Sequence, residues 1–180
     1  MTRFSFDNNK GKIDKDYTNK EYTPDSLVTE CISLIPYTEG DIFLDAGSGF
    51  NKVWFKNFPE GVHLEYEISE GKDFILADVD VDWIVGNPPY DLMLKFIEKS
   101  TDISKKGFGF LINHSRLNQL TPVRLDNWSK KGFWLSKIHI CSVKHWFGRF
   151  YFVVFTKVKS DDITFNRTTH KLRDVKGGEG

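Results

Sequence analysis

The sequence predicts an α/β fold built on a mostly parallel sheet, and two observations carry that expectation. Short apolar runs bounded by Gly, Pro and Asp alternate with segments whose apolar residues recur at helical spacing. That is the pattern of strands joined by helical crossovers. Two of the runs also end abruptly. Asp41-Ile42-Phe43-Leu44-Asp45 meets Ala46-Gly47-Ser48-Gly49-Phe50, and Trp83-Ile84-Val85-Gly86 meets Asn87-Pro88-Pro89-Tyr90. Ligands of such sheets bind beyond the carboxyl ends of the strands, so both breaks belong to one crevice.

The elements follow in order. Residues 1–20 are polar and lack an apolar pattern, so a flexible amino-terminal segment is expected ahead of a single domain at 21–159. Thr23-Pro24-Asp25 starts a helix, with a capping hydroxyl, a proline at the first helical position and an acid in the first turn. Leu27, Val28, Cys31, Ile32, Leu34 and Ile35 continue it at helical spacing. The strand at 41–45 follows, then a short aromatic helix within 51–58. Val62, Leu64, Tyr66 and Ile68 alternate as a second strand, and Phe74-Ile75-Leu76 reads as a short third element. The strand at 81–86 feeds the proline pair. A short helix carries Leu92, Leu94, Phe96 and Ile97, and a strand spans 107–112. Thr121-Pro122 starts a helix that Gly132 stops. Residues 136–143 and 150–157 are two closing strands spaced for a hairpin, and 160–180 is expected to be a flexible tail.

Composition narrows the class. At 180 residues the chain can bury a substantial core. Its two cysteines, Cys31 and Cys141, lie in apolar segments and suggest neither a disulfide framework nor a metal set, which fits a cytoplasmic protein. The five histidines show no ligand spacing, so no metal is expected. No apolar run is long enough to span a bilayer, so no membrane partner is expected. The zero net charge hides an asymmetry. Residues 1–90 hold 8 Lys and Arg against 17 Asp and Glu, a balance of −9, and residues 91–180 the reverse, +9. A basic half suits a polyanionic partner.

Asn87-Pro88-Pro89-Tyr90 carries the most chemistry. Neither proline can donate a ladder hydrogen bond, so the strand stops and its last carbonyls lose their partners. The Asn87 amide oxygen and the Pro88 carbonyl can each accept one N–H of a planar NH2 group, and Tyr90 can stack on its plane. The glycines of the first break allow a tight turn and close approach of a ligand to the backbone.

Together, in this order, Asp-Ala-Gly-Ser-Gly-Phe and Asn-Pro-Pro-Tyr resemble the S-adenosylmethionine-dependent amino-methyltransferases, especially the N6-adenine methyltransferases of nucleic acids. The resemblance covers roughly residues 22 to 158. It implies a Rossmann-like methyltransferase domain with a seven-stranded sheet and an antiparallel last strand, and S-adenosyl-L-methionine as cofactor. Asp45 would lie near the methionine moiety, with Ala46, Gly47 and Gly49 giving backbone access. Glu67 would take the ribose hydroxyls, with Glu65 as competing candidate on the same strand face. Asp73 would meet the adenine amine and Phe74 pack on its face, while Thr23 would close over the methionine end. Asn87, Pro88, Pro89 and Tyr90 would be catalytic, with Asn87 also near the cofactor. Beyond Tyr90, the substrate contacts would come from Arg116, Arg149 and a stacking ring at Trp146 or Phe147. The partner would be a nucleic acid, DNA favoured over RNA. The same tetrad also occurs in methyltransferases of protein glutamine, which supply the alternative. The chain shows no large carboxyl-terminal target-recognition domain, so a separate specificity subunit is a further expected partner.

Overall fold

In the computed structural model, residues 23–144, 146 and 148–159 are described, together with the backbone of 162–170. Seven strands form one sheet: β1 (Phe43–Ala46), β2 (His63–Tyr66), β3 (Val81–Gly86), β4 (Ser104–Asn113), β5 (Trp134–Val143), β6 (Phe150–Thr156) and β7 (Asp162–His170). Their order across the sheet is β2-β1-β3-β4-β6-β5-β7. Only β6 runs against its neighbours; every other described pairing is parallel. The expected α/β class and mostly parallel seven-stranded sheet are therefore present.

The seven strands are not all the expected ones. Phe74–Leu76 is a 3-10 turn, because the Asp73 carboxylate accepts the Ile75 N–H (2.9 Å) and curls the chain. The segment expected as a tail instead contributes β7, parallel to β5 from Lys137↔Asp162 onward. The antiparallel strand is thus followed by one more and lies inside the sheet, between β4 and β5. The remaining positions of the expected flexible segments lie outside the described residues.

Helices cover both faces. Helix α1 (Asp25–Ser33) and the single turn α2 (Val53–Lys56) pack on one, where Leu27, Val28, Cys31 and Trp54 meet Phe43, Trp83, Val85 and Phe152. Helices α3 (Met93–Ile103) and α5 (Pro122–Lys130) pack on the other, where Phe96 and Trp128 meet Ile84, Phe108, Phe110 and Phe155. The Thr121 hydroxyl caps α5 and Pro122 opens it, as the sequence predicts. Burial pushes both thiols up, Cys141 to about 12, so they pack as small apolar groups rather than as nucleophiles. No helix of the described residues is long and apolar enough to cross a membrane.

The strand order fixes where a ligand can sit. From β1 the chain moves outward to β2, then crosses back to place β3 on the other side of β1. The reversal opens a crevice at the carboxyl ends of β1 and β3. Those ends are Ala46 and Gly86, each directly before a sequence break.

Candidate active site

Gly86 brings the two breaks together. A Cβ on it would stand 2.6 Å from the Ala46 carbonyl oxygen, so only glycine lets the end of β3 press against the end of β1. Ala46 itself is fully buried, so it lends the crevice backbone and no side chain. Past it the chain turns sharply, with Gly47 at φ +76° and Gly49 at φ +63°. The Gly47 and Ser48 N–H groups both donate to the Tyr66 carbonyl (2.9 and 3.0 Å), which ties the glycine loop to the end of β2. Lys52 ends the loop in a left-handed conformation, φ 50°. Its ammonium pairs with Glu65 (2.6 Å) and Glu70 (2.9 Å), contacts that hold this strained residue in place.

Asp45 is completely buried. Its Oδ2 accepts the Phe55 N–H (3.0 Å), while its Oδ1 has no partner among the described residues. Burial pushes this carboxyl up to about 8; the Glu65 and Glu67 carboxylates add to the rise and the Phe55 N–H opposes it. At neutral pH the buried acid therefore favours its protonated form, although the Lys52 charge pulls the other way.

Glu67 lies just past the end of β2. Its Oε1 accepts from the Ser69 N–H (3.1 Å) and hydroxyl (2.9 Å), and its Oε2 from the Gly49 N–H (2.7 Å). Burial would raise its pKa, but these bonds and the Lys52 charge outweigh burial and lower it. Three bonds leave one of about four acceptor sites open on the ionised carboxylate. Glu65 is the one neutralised by Lys52, which leaves Glu67 as the acid at the crevice mouth. The Gly49 N–H, expected to face a ligand, is thus committed to Glu67.

Asp73 is half-buried and caps its turn. Phe74 departs from the expected role: it is 3% exposed, its ring centre is 4.7 Å from that of Phe96, and it belongs to the core. The exposed apolar groups on these loops are Phe50, Ile68 and Leu76. Sequence reading missed them as ring-covering candidates. The available signal was an apolar residue at the tip of the glycine loop, directly after Glu67, and three after Asp73.

Asn87 stands on the other side of the crevice. Its Nδ2 donates to the Thr23 hydroxyl (3.4 Å), and its Oδ1 is buried with no partner among the described residues. Thr23 is thereby brought to the tetrad. Pro88 is buried and Pro89 exposed; the Pro89 carbonyl accepts the Leu92 N–H (2.9 Å), which closes a turn holding Tyr90 at 40% exposure. No backbone N–H of the described residues donates to the Pro88 carbonyl.

Arg116 reaches the tetrad from α4 (His114–Leu117), the turn that follows β4. Its Nη2 donates to Asp91 (2.7 Å), next to Tyr90. The loop between β5 and β6 abuts the same turn: His114 N–H donates to the Arg149 carbonyl (3.0 Å), and a Cβ on Gly148 would meet the His114 ring at 2.7 Å. Arg149 is exposed. Trp146 departs from a free stacking role. It is half-buried, its ring centre 4.5 Å from that of Phe150, and it packs on the α1 side of the core. Phe147 lies outside the described residues.

No family model matches the chain, and no curated protein matches it. Solved structures do. A proposed class I S-adenosylmethionine-dependent methyltransferase from Listeria monocytogenes aligns with a TM-score of 0.56 at 13% identity, over 85% of this chain and 65% of that one. This chain therefore spans just under two thirds of that protein. A proposed RNA methyltransferase from Pyrococcus horikoshii aligns with a TM-score of 0.58 at 17% identity, over 79% of this chain and 90% of that one. The 23S rRNA methyltransferase ErmE gives 0.60 at 9% identity, over 75% and 68%. The fold is that of class I S-adenosylmethionine-dependent methyltransferases.

Proposed function

We propose that the protein is an S-adenosylmethionine-dependent methyltransferase that modifies the exocyclic N6 amine of adenine in nucleic acid, DNA in the first instance. The observation that carries the reading is Asn87. It sits at the end of β3, at the sheet's reversal point, with a buried amide oxygen that lacks a partner, beside a proline carbonyl to which no described backbone N–H donates. An unmet buried acceptor is costly, and an NH2 group satisfies both positions.

The crevice suits the cofactor. The unpartnered Asp45 Oδ1 is matched to the amino group of a methionine moiety, and the open acceptor site of Glu67 to a ribose hydroxyl. Ile68 and Leu76 can cover an adenine ring. S-adenosylmethionine, when bound, supplies an electrophilic methyl group on a cationic sulfur.

The chain's own residues prepare the acceptor. The adenine amine is a poor nucleophile because its lone pair is conjugated with the ring. Asn87 Oδ1 and the Pro88 carbonyl, by accepting both amine hydrogens, favour a pyramidal nitrogen and aim its lone pair. This is alignment and polarisation by fixed dipoles. Tyr90 covers the face of a base taken out of its stack. Arg116 and Arg149 border the entrance and suit phosphates.

RNA is the second reading, favoured by the two RNA methyltransferases that share the fold. Protein glutamine shares the amide chemistry, but the basic second half of the chain argues for a polyanion. Incubation with radiolabelled cofactor and DNA, RNA or cell extract, followed by nucleoside and peptide analysis, tests the proposal. N6-methyladenosine or its deoxy counterpart is expected; label in polypeptide alone would overturn it.

A further inference from the structure

Trp54, Trp83 and Trp128 are all buried. An indole N–H can only donate, and burying it without an acceptor costs the desolvation of the group. Two of the three meet a carboxylate: Trp83 donates to Asp41 (2.8 Å) and Trp128 to Glu98 (2.7 Å). Trp54 does not. Its Nε1 is buried with no partner among the described residues. Packing accounts for its ring, which stacks on Phe152 with centres 5.7 Å apart. Stacking uses a face of the ring and leaves the N–H unexplained.

The surroundings of Trp54 are those of the crevice. It belongs to the cluster on the α1 side of the sheet, with Leu27, Val28, Phe43 and Val85. Val85 is the register partner of Asp45, and Asp45 is two residues on from Phe43, so the acid shares this face. Asp45 Oδ2 also accepts the N–H of Phe55, the residue after Trp54. Asn57, just past α2, donates to Asp25 (3.0 Å) and ties that turn to the start of α1, two residues from Thr23. Trp54 is therefore enclosed by the segments that carry Asp45, Thr23 and Asn87. Asp45 Oδ1 and Asn87 Oδ1 are buried acceptors without partners, and Trp54 Nε1 is a buried donor without one. They stand in one region and do not satisfy one another, as groups that face a ligand would.

We infer that Trp54 holds the amino-acid end of the cofactor, its indole N–H donating to the carboxylate of the methionine moiety whose ammonium meets Asp45 Oδ1. The inference rests on the S-adenosylmethionine reading above and adds to it a residue that selects for the intact amino acid. A methionine moiety is a zwitterion, and Asp45 suits only its ammonium. Lys52, the cation of the same loop, is committed to Glu65 and Glu70 and so does not supply the carboxylate's partner. A neutral donor also serves the carboxylate without setting a second positive charge near the sulfonium.

Calorimetry on the full chain tests this with S-adenosylhomocysteine, decarboxylated S-adenosylmethionine and methylthioadenosine. The first carries the carboxylate, the second keeps only the amine, and the third has neither. Trp54→Phe keeps a ring against Phe152 and removes the N–H. It is expected to weaken S-adenosylhomocysteine by about tenfold or more, the scale of losing a hydrogen bond to a charged group, and to leave the other two unchanged. Heteronuclear NMR of the unaltered chain keeps the test informative if the variant fails to fold. There the Trp54 indole N–H resonance is expected to shift downfield with S-adenosylhomocysteine and not with the two ligands that lack a carboxylate. Equal losses across the ligands would mean a packing role and overturn the inference. So would unchanged affinity for S-adenosylhomocysteine, or an indole resonance that ignores it. Binding of S-adenosylhomocysteine with an insensitive Trp54 removes this inference alone, whereas failure of the unaltered chain to bind any of the three removes the cofactor reading and this inference with it.

Discussion

Asp45 makes the protein's stability depend on pH in a direction opposite to that of most carboxylates. Its pKa rises from 3.8 to about 8 on folding. Between those values the folded protein holds a proton that the unfolded chain has released, so stability falls as pH rises from about 4 to about 8. At pH 7 the gap amounts to some three pH units, or roughly 4 kcal/mol. Asp45→Asn keeps the volume and an acceptor for the Phe55 N–H but cannot titrate. Its extra buried N–H carries a pH-independent cost of about 1–3 kcal/mol. The informative quantity is therefore the slope of stability with pH. Urea unfolding followed by tryptophan fluorescence from pH 5 to 8 should show the wild type losing stability relative to the variant by about 1 kcal/mol per pH unit. Parallel curves would refute the reasoning, because they would mean that Asp45 is ionised in the folded protein.

The remaining expectations concern ligands. Glu67→Ala should weaken S-adenosylhomocysteine binding by about 1–3 kcal/mol in calorimetry, since it removes an acceptor and frees the Gly49 N–H; unchanged affinity would return the role to Glu65. Asn87→Ala should bind the same ligand normally but lose roughly 100-fold or more in turnover; near-normal turnover would sink the proposed amine alignment. Arg149→Ala should flatten the salt dependence of nucleic-acid binding by about one unit in gel-shift titrations. Trp146→Ala, by contrast, should cost stability in a thermal melt, because its ring rests on Phe150; a folded, equally stable variant with weak base binding would restore the stacking role.

The sequence makes the crevice legible because glycine and proline constrain the backbone locally. Gly47 and Pro88 announce the strand ends without help from distant contacts. The acid at the mouth is harder to read. Glu65 and Glu67 share a face by the period of two, and only Lys52, folded back from the glycine loop, distinguishes them. Phe74 and Trp146 are hard to read for the same reason: an aromatic side chain suits a core and a ligand equally, and the choice depends on Phe96 and Phe150 arriving from elsewhere. The run at 74–76 is apolar enough for a strand, but the Asp73 cap decides it. β7 is hard to read because an outer strand needs little apolar pattern; Ile163 and Phe165 are thinly spaced among polar residues.

The placement of β6 bears on the order in which the molecule assembles. In the β5–β6 hairpin the pair Cys141↔Phe150 closes across nine residues, whereas the β1–β3 pair Phe43↔Trp83 closes across forty. The longer closure costs about 1.3 kcal/mol more chain entropy. The hairpin can therefore form early and serve as a template against which β4 docks. The reversal that brings Gly86 onto Ala46 comes late, and with it the whole crevice. Pulse-labelled hydrogen exchange during refolding should protect the amides of β6 before those of β1, and simultaneous protection would contradict this order. The part of the molecule most suited to chemistry is thus expected to take shape after the hairpin. Loosened forms of the chain would lose the crevice while keeping the hairpin.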